Sequence, residues 1–223
     1  MTSPHKPLSV TQVLVCGAAI VTMSMGIRHG FGLWLQPLTQ ARGWTRETFA
    51  LAIGVQNLAW GFSGIFAGMV ADKFGAFRVI LVGAVLYALG LVGMAYASTP
   101  LLLSLSAGVL LGMAQAGTTY AVVYGVIGRN VSADKRSWAM GVAAAAGSFG
   151  QFLRVPTEGF LISHFGWQEA LVILGVAALT IIPLAWGLRE PGFAAGAAAR
   201  RRGATKASCR PCARPSSTPV SSS

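Results

Sequence analysis

Gly68-Met69-Val70-Ala71-Asp72-Lys73-Phe74-Gly75-Ala76-Phe77-Arg78 joins two long apolar runs, and its Asp72, Lys73 and Arg78 are the only charged side chains between Glu47 and Arg129. Two membrane helices reversing direction would need such a turn. Gly68 would let a neighbouring helix end approach closely. Asp72 would accept hydrogen bonds from the backbone N–H groups of an adjacent helix or pair with a base. Gly75 would take the positive φ of a tight turn, and Lys73 and Arg78 would hold the loop on the cytoplasmic side. Physics alone also admits the plainer reading, a charged loop between two spans.

The composition points the same way. Of 223 residues, 54% are hydrophobic and only 10% charged, too apolar for an ordinary soluble domain. The net charge of +11 does not indicate nucleic acid, because seven of the seventeen Lys and Arg residues follow the last apolar run and the others punctuate hydrophobic segments. The first apolar stretch is a full bilayer span without a small-residue cleavage site, so no separate signal peptide is read. Cys16 lies within that span. Cys209 and Cys212 form a C-x-x-C with no second Cys or His pair beside it, which argues against a metal or redox site.

Six stretches are long enough to cross a hydrocarbon core of about 30 Å, which takes roughly twenty helical residues. They run from about Val10 to Leu35, Phe49 to Val70, Val79 to Ala97, Leu101 to Tyr124, Trp138 to His164 and Ala170 to Trp186. Thr45 is a candidate N-cap for the second, and Ser98-Thr99-Pro100 turns the third into the fourth. Abundant Gly and Ala suit close helix packing in lipid. The fold class expected is an all-α integral membrane protein with a short cytoplasmic start (residues 1–9), a six-helix domain (10–190) and a disordered, basic, Arg/Ser/Pro/Ala-rich tail (191–223). Lys6, Lys73, Arg78, Arg129, Lys135, Arg136 and Arg189 fall on one side of such a bundle, and only Arg42 and Arg46 on the other. Both termini are therefore expected in the cytoplasm, with the inner membrane of a bacterium as the expected location.

Two arginines fall within spans. At the bilayer centre such a group costs at least about 2.5–3.5 kcal/mol, so it should face a cavity or a partner. Arg28 sits past the middle of the first span and Arg154 past the middle of the fifth, with Gln56 and Asn57 of the second span at a similar depth. A structural bundle does not require four polar groups in one layer; an anion pathway does. Glu158 shares a helical face with Arg154, so a structural ion pair between them stands level with a substrate role. Arg28 has no acid in its span, which favours carboxylate binding over snorkelling. His29 reads as a packing or interfacial residue. Tyr120, Tyr124 and Gln115 would line the same cavity toward the cytoplasm or, for the tyrosines, anchor at the interface. Gln151 is a further lining candidate, and Glu158, the one acid well inside a span, is the candidate proton carrier. The chain carries no catalytic constellation: His5, His29 and His164 lie in different segments, and no two acids share a span at helical spacing. No cofactor is implied.

The stretch from Gly68 to Arg78 resembles the loop between the second and third helices of the major facilitator superfamily, G-x-x-x-D-R/K-x-G-R. Gly68, Asp72, Lys73 and Gly75 match; Ala76 replaces the expected base, and Arg78 supplies one two residues later. Six spans fit one half of that fold, and Gly166-Trp167-Gln168 resembles the G-W-R before its sixth helix. Within the superfamily, Gly26-Ile27-Arg28-His29-Gly30-Phe31-Gly32, Gly43-Trp44-Thr45-Arg46 and the run from Arg136 through Ala139 and Gly141 to Gly147 resemble the monocarboxylate and oxalate/formate branch. The resemblance covers about residues 8–190. It implies exchange or uptake of small organic anions by alternating access, with Arg28 as carboxylate ligand and Asp72 and its bases as a latch on the cytoplasmic helix ends. Arg154 departs from the apolar residue expected between Gln151 and Pro156. The superfamily has two six-helix halves with substrate held between them, and past Gly192 this chain carries only the polar tail, whose content resembles translation in a shifted reading frame. A second half or a second copy of the chain is thus a possible partner, beside the lipid bilayer and the anion. The alternative reading is a transport-incompetent truncated fragment.

Overall fold

The computed structural model describes residues 9–189, and every described element is helical. The expectations for Lys6, for the basic tail beyond Gly192 and for Cys209 and Cys212 lie outside the described residues. Five helical stretches among the described residues are long and apolar enough to cross a membrane, and the last, Ala133–Gly187, has 55 residues. At 1.5 Å per residue that is far more than one crossing. It is folded at Gly166, whose φ of 80° and ψ of 163° no helix tolerates and few L-residues adopt. The fifth and sixth expected spans therefore exist and meet at the expected Gly-Trp pair.

The first span is not a single helix. Helix α1, Val10–His29, opens on a Ser9 cap that accepts from the Gln12 backbone N–H, and it ends at Gly30; α2, Phe31–Arg42, follows and stops at Gly43 in the left-handed region. Helix α3, Arg46–Phe74, begins where Thr45 accepts from the Thr48 N–H at 3.3 Å, the cap expected from sequence. At its far end Gly75 has φ 92° and turns the chain into α4, Ala76–Tyr96. The positive φ expected at Gly75 is present.

The fourth span is irregular. It starts with a single turn, α5 (Pro100–Leu103), widens into a π-helical segment at Ser104–Leu110, returns to α-helix in α6 (Leu111–Thr118), breaks at extended Thr119, and ends as α7 (Tyr120–Asn130). The widened turn presents the Ala107 carbonyl sideways, and Gln56 of α3 takes it up through Nε2 at 2.9 Å. Helix α8, Ala133–Ala178, holds the bend at Gly166, and α9, Ile181–Gly187, ends the described chain.

The core divides into two apolar layers. One surrounds Val13, Ile20, Val79, Val123 and Ala185, near the Gly75 turn; the other surrounds Ile27, Trp34, Tyr87, Leu111 and Leu171. Small residues let the backbones approach where no water can fill a gap: Thr22 of α1 donates to the Ala146 carbonyl of α8 at 2.9 Å. Large apolar side chains such as Leu58, Phe62 and Phe152 point outward, as a lipid-facing surface requires and a water-facing one would not tolerate. Arg42, at the end of α2, donates to the Ala95 carbonyl and lies 5.5 Å from the Trp167 ring, joining three helix ends on the side opposite the Gly75 turn.

Candidate functional site

Arg28 lies two residues before Gly30, and its guanidinium reaches two other helices. Nη1 donates to Gln115 Oε1 of α6 at 2.7 Å, and Nη2 donates to Asn57 Oδ1 of α3 at 2.9 Å. The Trp60 ring covers the guanidinium at 4.3 Å from its centroid. All three partners are neutral. Of the five N–H donors on an arginine two are used, so the group keeps its positive charge and a free set of donors while its position is held from three sides.

Asn57 was expected at this layer and is there. Gln56, at the same depth, does not reach Arg28: it is buried, and its amide donates to the π-helical turn of the fourth span. Neighbouring residues on a helix point about 100° apart, so the two amides diverge. Trp60 was not anticipated. It sits three residues after Asn57 and so on the same face of α3, which is the signal that was available.

Arg154 approaches α1 from α8. Its side chain passes where a Cβ on Gly26 would stand, and Nη2 points at the Met23 sulfur. The ion pair that its spacing with Glu158 allows is not formed; among the described residues the ion pair is the one between Arg129 and Asp72. Glu158 turns away from Arg154 to α2, where Trp34 Nε1 donates to its Oε2 at 3.2 Å. The carboxyl is fully buried, Oε1 has no hydrogen-bond partner, and the group fills the space a side chain at residue 30 would need. Only glycine fits there. The glycine at residue 30 and the buried acid are thus one arrangement, and Trp34, which was not foreseen, is its third member.

Tyr120 and Tyr124 stack obliquely at 5.4 Å between centroids, and the Tyr120 hydroxyl lies against Gly147 of α8. Both are half-buried, as is Gln151, which has no hydrogen-bond partner among the described residues. His29 bonds the Met25 carbonyl of its own helix at 2.9 Å, consistent with a packing role. Tyr87 reaches the Ser24 carbonyl at 3.0 Å and ties α4 to α1 below the site.

At the charged turn, Asp72 pairs with Arg129 at the end of α7 at 3.1 Å. Lys73 lies over its neighbour Phe74, and Arg78 has no hydrogen-bond or acidic partner among the described residues. Among the described residues nothing packs on Gly68: a Cβ there would meet nothing within 4 Å, and the same is true of Gly54, Gly61 and Gly64 along α3. Helix α3 is the least covered of the long helices.

Comparison with known proteins agrees with this architecture. Monocarboxylate transporter 11 of Mus musculus is 32% identical over 175 residues, covering 77% of this chain and 38% of that protein. Monocarboxylate transporter 14 of Homo sapiens is 28% identical over 161 residues, covering 70% of this chain and 30% of its own length. The crystal structure of a mutant of the peptide transporter POT in complex with alafosfalin superimposes with a TM-score of 0.65 at 17% identity, over 91% of this chain and 46% of that one; at that identity it speaks for the fold alone. The chain therefore spans well under half the length of these relatives. Residues 14–219 match the Major Facilitator Superfamily, and the chain belongs to that family of membrane transporters.

Proposed function

We propose that this chain is the substrate-binding half of a secondary transporter for small organic anions of the monocarboxylate or oxalate/formate type, working by alternating access. The observation that carries the reading is the surroundings of the Arg28 guanidinium. A cation inside a span, held at 2.7 and 2.9 Å by amide oxygens and backed by an indole but facing no acid, is stabilised by a carboxylate supplied from outside. Charge-assisted hydrogen bonds of that kind are about twice as strong as neutral ones, and the guanidinium fork fits a carboxylate with two parallel bonds. The curated relatives at 28–32% identity carry monocarboxylate transport in their names, which supports the same substrate class.

In this reading Arg28 is the primary ligand. Asn57, Trp60 and Gln115 orient it, while Tyr120, Tyr124, Gln151 and Arg154 line the route. Glu158 carries the coupled proton. Gly68, Asp72, Lys73, Gly75 and Arg78 form the conformational latch at the cytoplasmic side of a bacterial inner membrane, with both chain ends on that side. The uncovered face of α3 is closed by a second six-helix half or by a second copy of this chain.

Counterflow of radiolabelled lactate, formate and oxalate into proteoliposomes tests the proposal, with the chain alone and with a second half supplied from a relative. The expected result is saturable counterflow of at least one acid that disappears in Arg28→Gln. Absence of counterflow for every acid in both arrangements overturns the transport reading in favour of an incompetent fragment. Full activity in Arg28→Gln removes the assigned ligand.

A further inference from the structure

Helices α3 and α4, joined at the Gly75 turn, line a groove of about 660 Å³ with α6 as its floor. Phe62, Phe66 and Val70 form one wall, Val82 and Leu86 the other, and Met113 lies on the floor. Ser63 and Arg78 are the polar members of the lining. Met113 precedes Gln115 by two residues, about 200° around a helix, so the groove and the Arg28 site occupy different sides of α6. Apart from Arg78, which the proposed function places in the latch, the transport reading does not use the groove.

We propose that this groove binds one anionic phospholipid, with an acyl chain along its floor and the phosphate against Arg78. Length and charge together carry the assignment. From Arg78 to Leu86 the groove follows α4 for eight residues, about 12 Å at 1.5 Å per residue, close to the half-thickness of a hydrocarbon core of about 30 Å. One end is therefore at the membrane surface and the other near the midplane, which is the reach of one lipid leaflet.

The surface end carries an exposed guanidinium that has no acidic partner among the described residues. Lys73 is exposed nearby in sequence on the same turn. The neighbouring acid, Asp72, is already engaged by Arg129 at 3.1 Å, so it does not compete for Arg78. A phosphodiester with net negative charge satisfies Arg78 through charge-assisted bonds while its chain covers the apolar walls. A zwitterionic lipid fills the walls equally well but leaves the guanidinium with a weaker partner.

The test is native mass spectrometry of the full 223-residue chain released from nanodiscs containing equal phosphatidylcholine and phosphatidylglycerol. One basic residue at a membrane surface contributes roughly 1 kcal/mol toward anionic lipid, so the wild type should retain one phosphatidylglycerol about fivefold over phosphatidylcholine. Arg78→Gln should bring that ratio to about one, and Arg78→Lys should keep most of it. Ser63→Phe, which fills the groove, should lose the retained lipid of either kind. Helix content by circular dichroism and a monodisperse elution profile identify variants that fold. If Ser63→Phe does not, the two Arg78 variants still decide. Equal retention of both lipids by the wild type overturns the proposal, as does an unchanged preference in Arg78→Gln. A wild type that carries no lipid and elutes as a dimer overturns it too, and assigns the groove to a second copy.

Discussion

Arg28 and Gln115, 87 residues apart in the chain, meet at 2.7 Å, with a guanidinium N–H donating to an amide oxygen between the first and fourth spans. The contact fixes a positive charge without cancelling it. Replacing Gln115 by Leu should loosen that charge and weaken substrate binding about fivefold, the worth of roughly 1 kcal/mol for one hydrogen bond. Replacing it by Glu should do more damage although the shape is kept, because a carboxylate at the same distance takes the place of the substrate's. Half-saturation in counterflow measures both; a Glu variant that binds as tightly as wild type contradicts the role assigned to Arg28.

Gly30 and Glu158 are coupled sterically. A methyl group at residue 30 would stand on the Glu158 carboxylate, and overpacking of this sort costs typically 1–3 kcal/mol. Gly30→Ala should therefore lower the thermal midpoint in detergent, and Glu158→Ala in the same chain should recover part of the loss. A double-mutant cycle reads the coupling directly. Strictly additive effects would show that the two positions do not share the space.

Glu158 also bears on ion coupling. Its one hydrogen bond comes from Trp34, and Oε1 has none; the proposed function assigns it the coupled proton. Glu158→Gln should abolish proton-coupled uptake and leave substrate exchange intact. Uptake and exchange measured from pH 5 to 8 separate the two; a pH profile identical to wild type removes Glu158 from the coupling path.

The Asp72–Arg129 pair predicts a split between stability and rate. Asp72 is 76% exposed, and exposed ion pairs contribute only about 0–1 kcal/mol. Asp72→Asn should leave the thermal midpoint nearly unchanged while altering the turnover rate, because the contact ties the α3–α4 turn to the end of the fourth span. Equal, large losses in both would mark Asp72 as a folding residue.

Much of the architecture was legible in the chain. Apolar runs of bilayer length, the Thr45 cap and the Gly75 turn each depend on local chemistry: hydrophobic length, a side-chain oxygen facing orphan N–H groups, and glycine's access to positive φ; the Gly166-Trp167 junction was read from the family resemblance. Arg28 stood out for a similar reason, since a lone charge in an apolar run demands an explanation wherever its partners lie.

The rest depended on neighbours remote in sequence. Gly30 entered the sequence reading only as part of the stretch Gly26 to Gly32; a buried carboxylate 128 positions away is what leaves no room for a side chain there. Gln56 and Asn57 were equivalent until the π-helical turn claimed one and Arg28 the other. Arg154 and Glu158 had the spacing of an ion pair, yet each found a partner on the first span or its continuation. Sequence by itself determined what must cross the membrane and which charge needed a partner, because those are costs each segment meets alone in lipid. Tertiary structure decided who the partners are, because a side chain's direction is set by the helix that happens to pack against it.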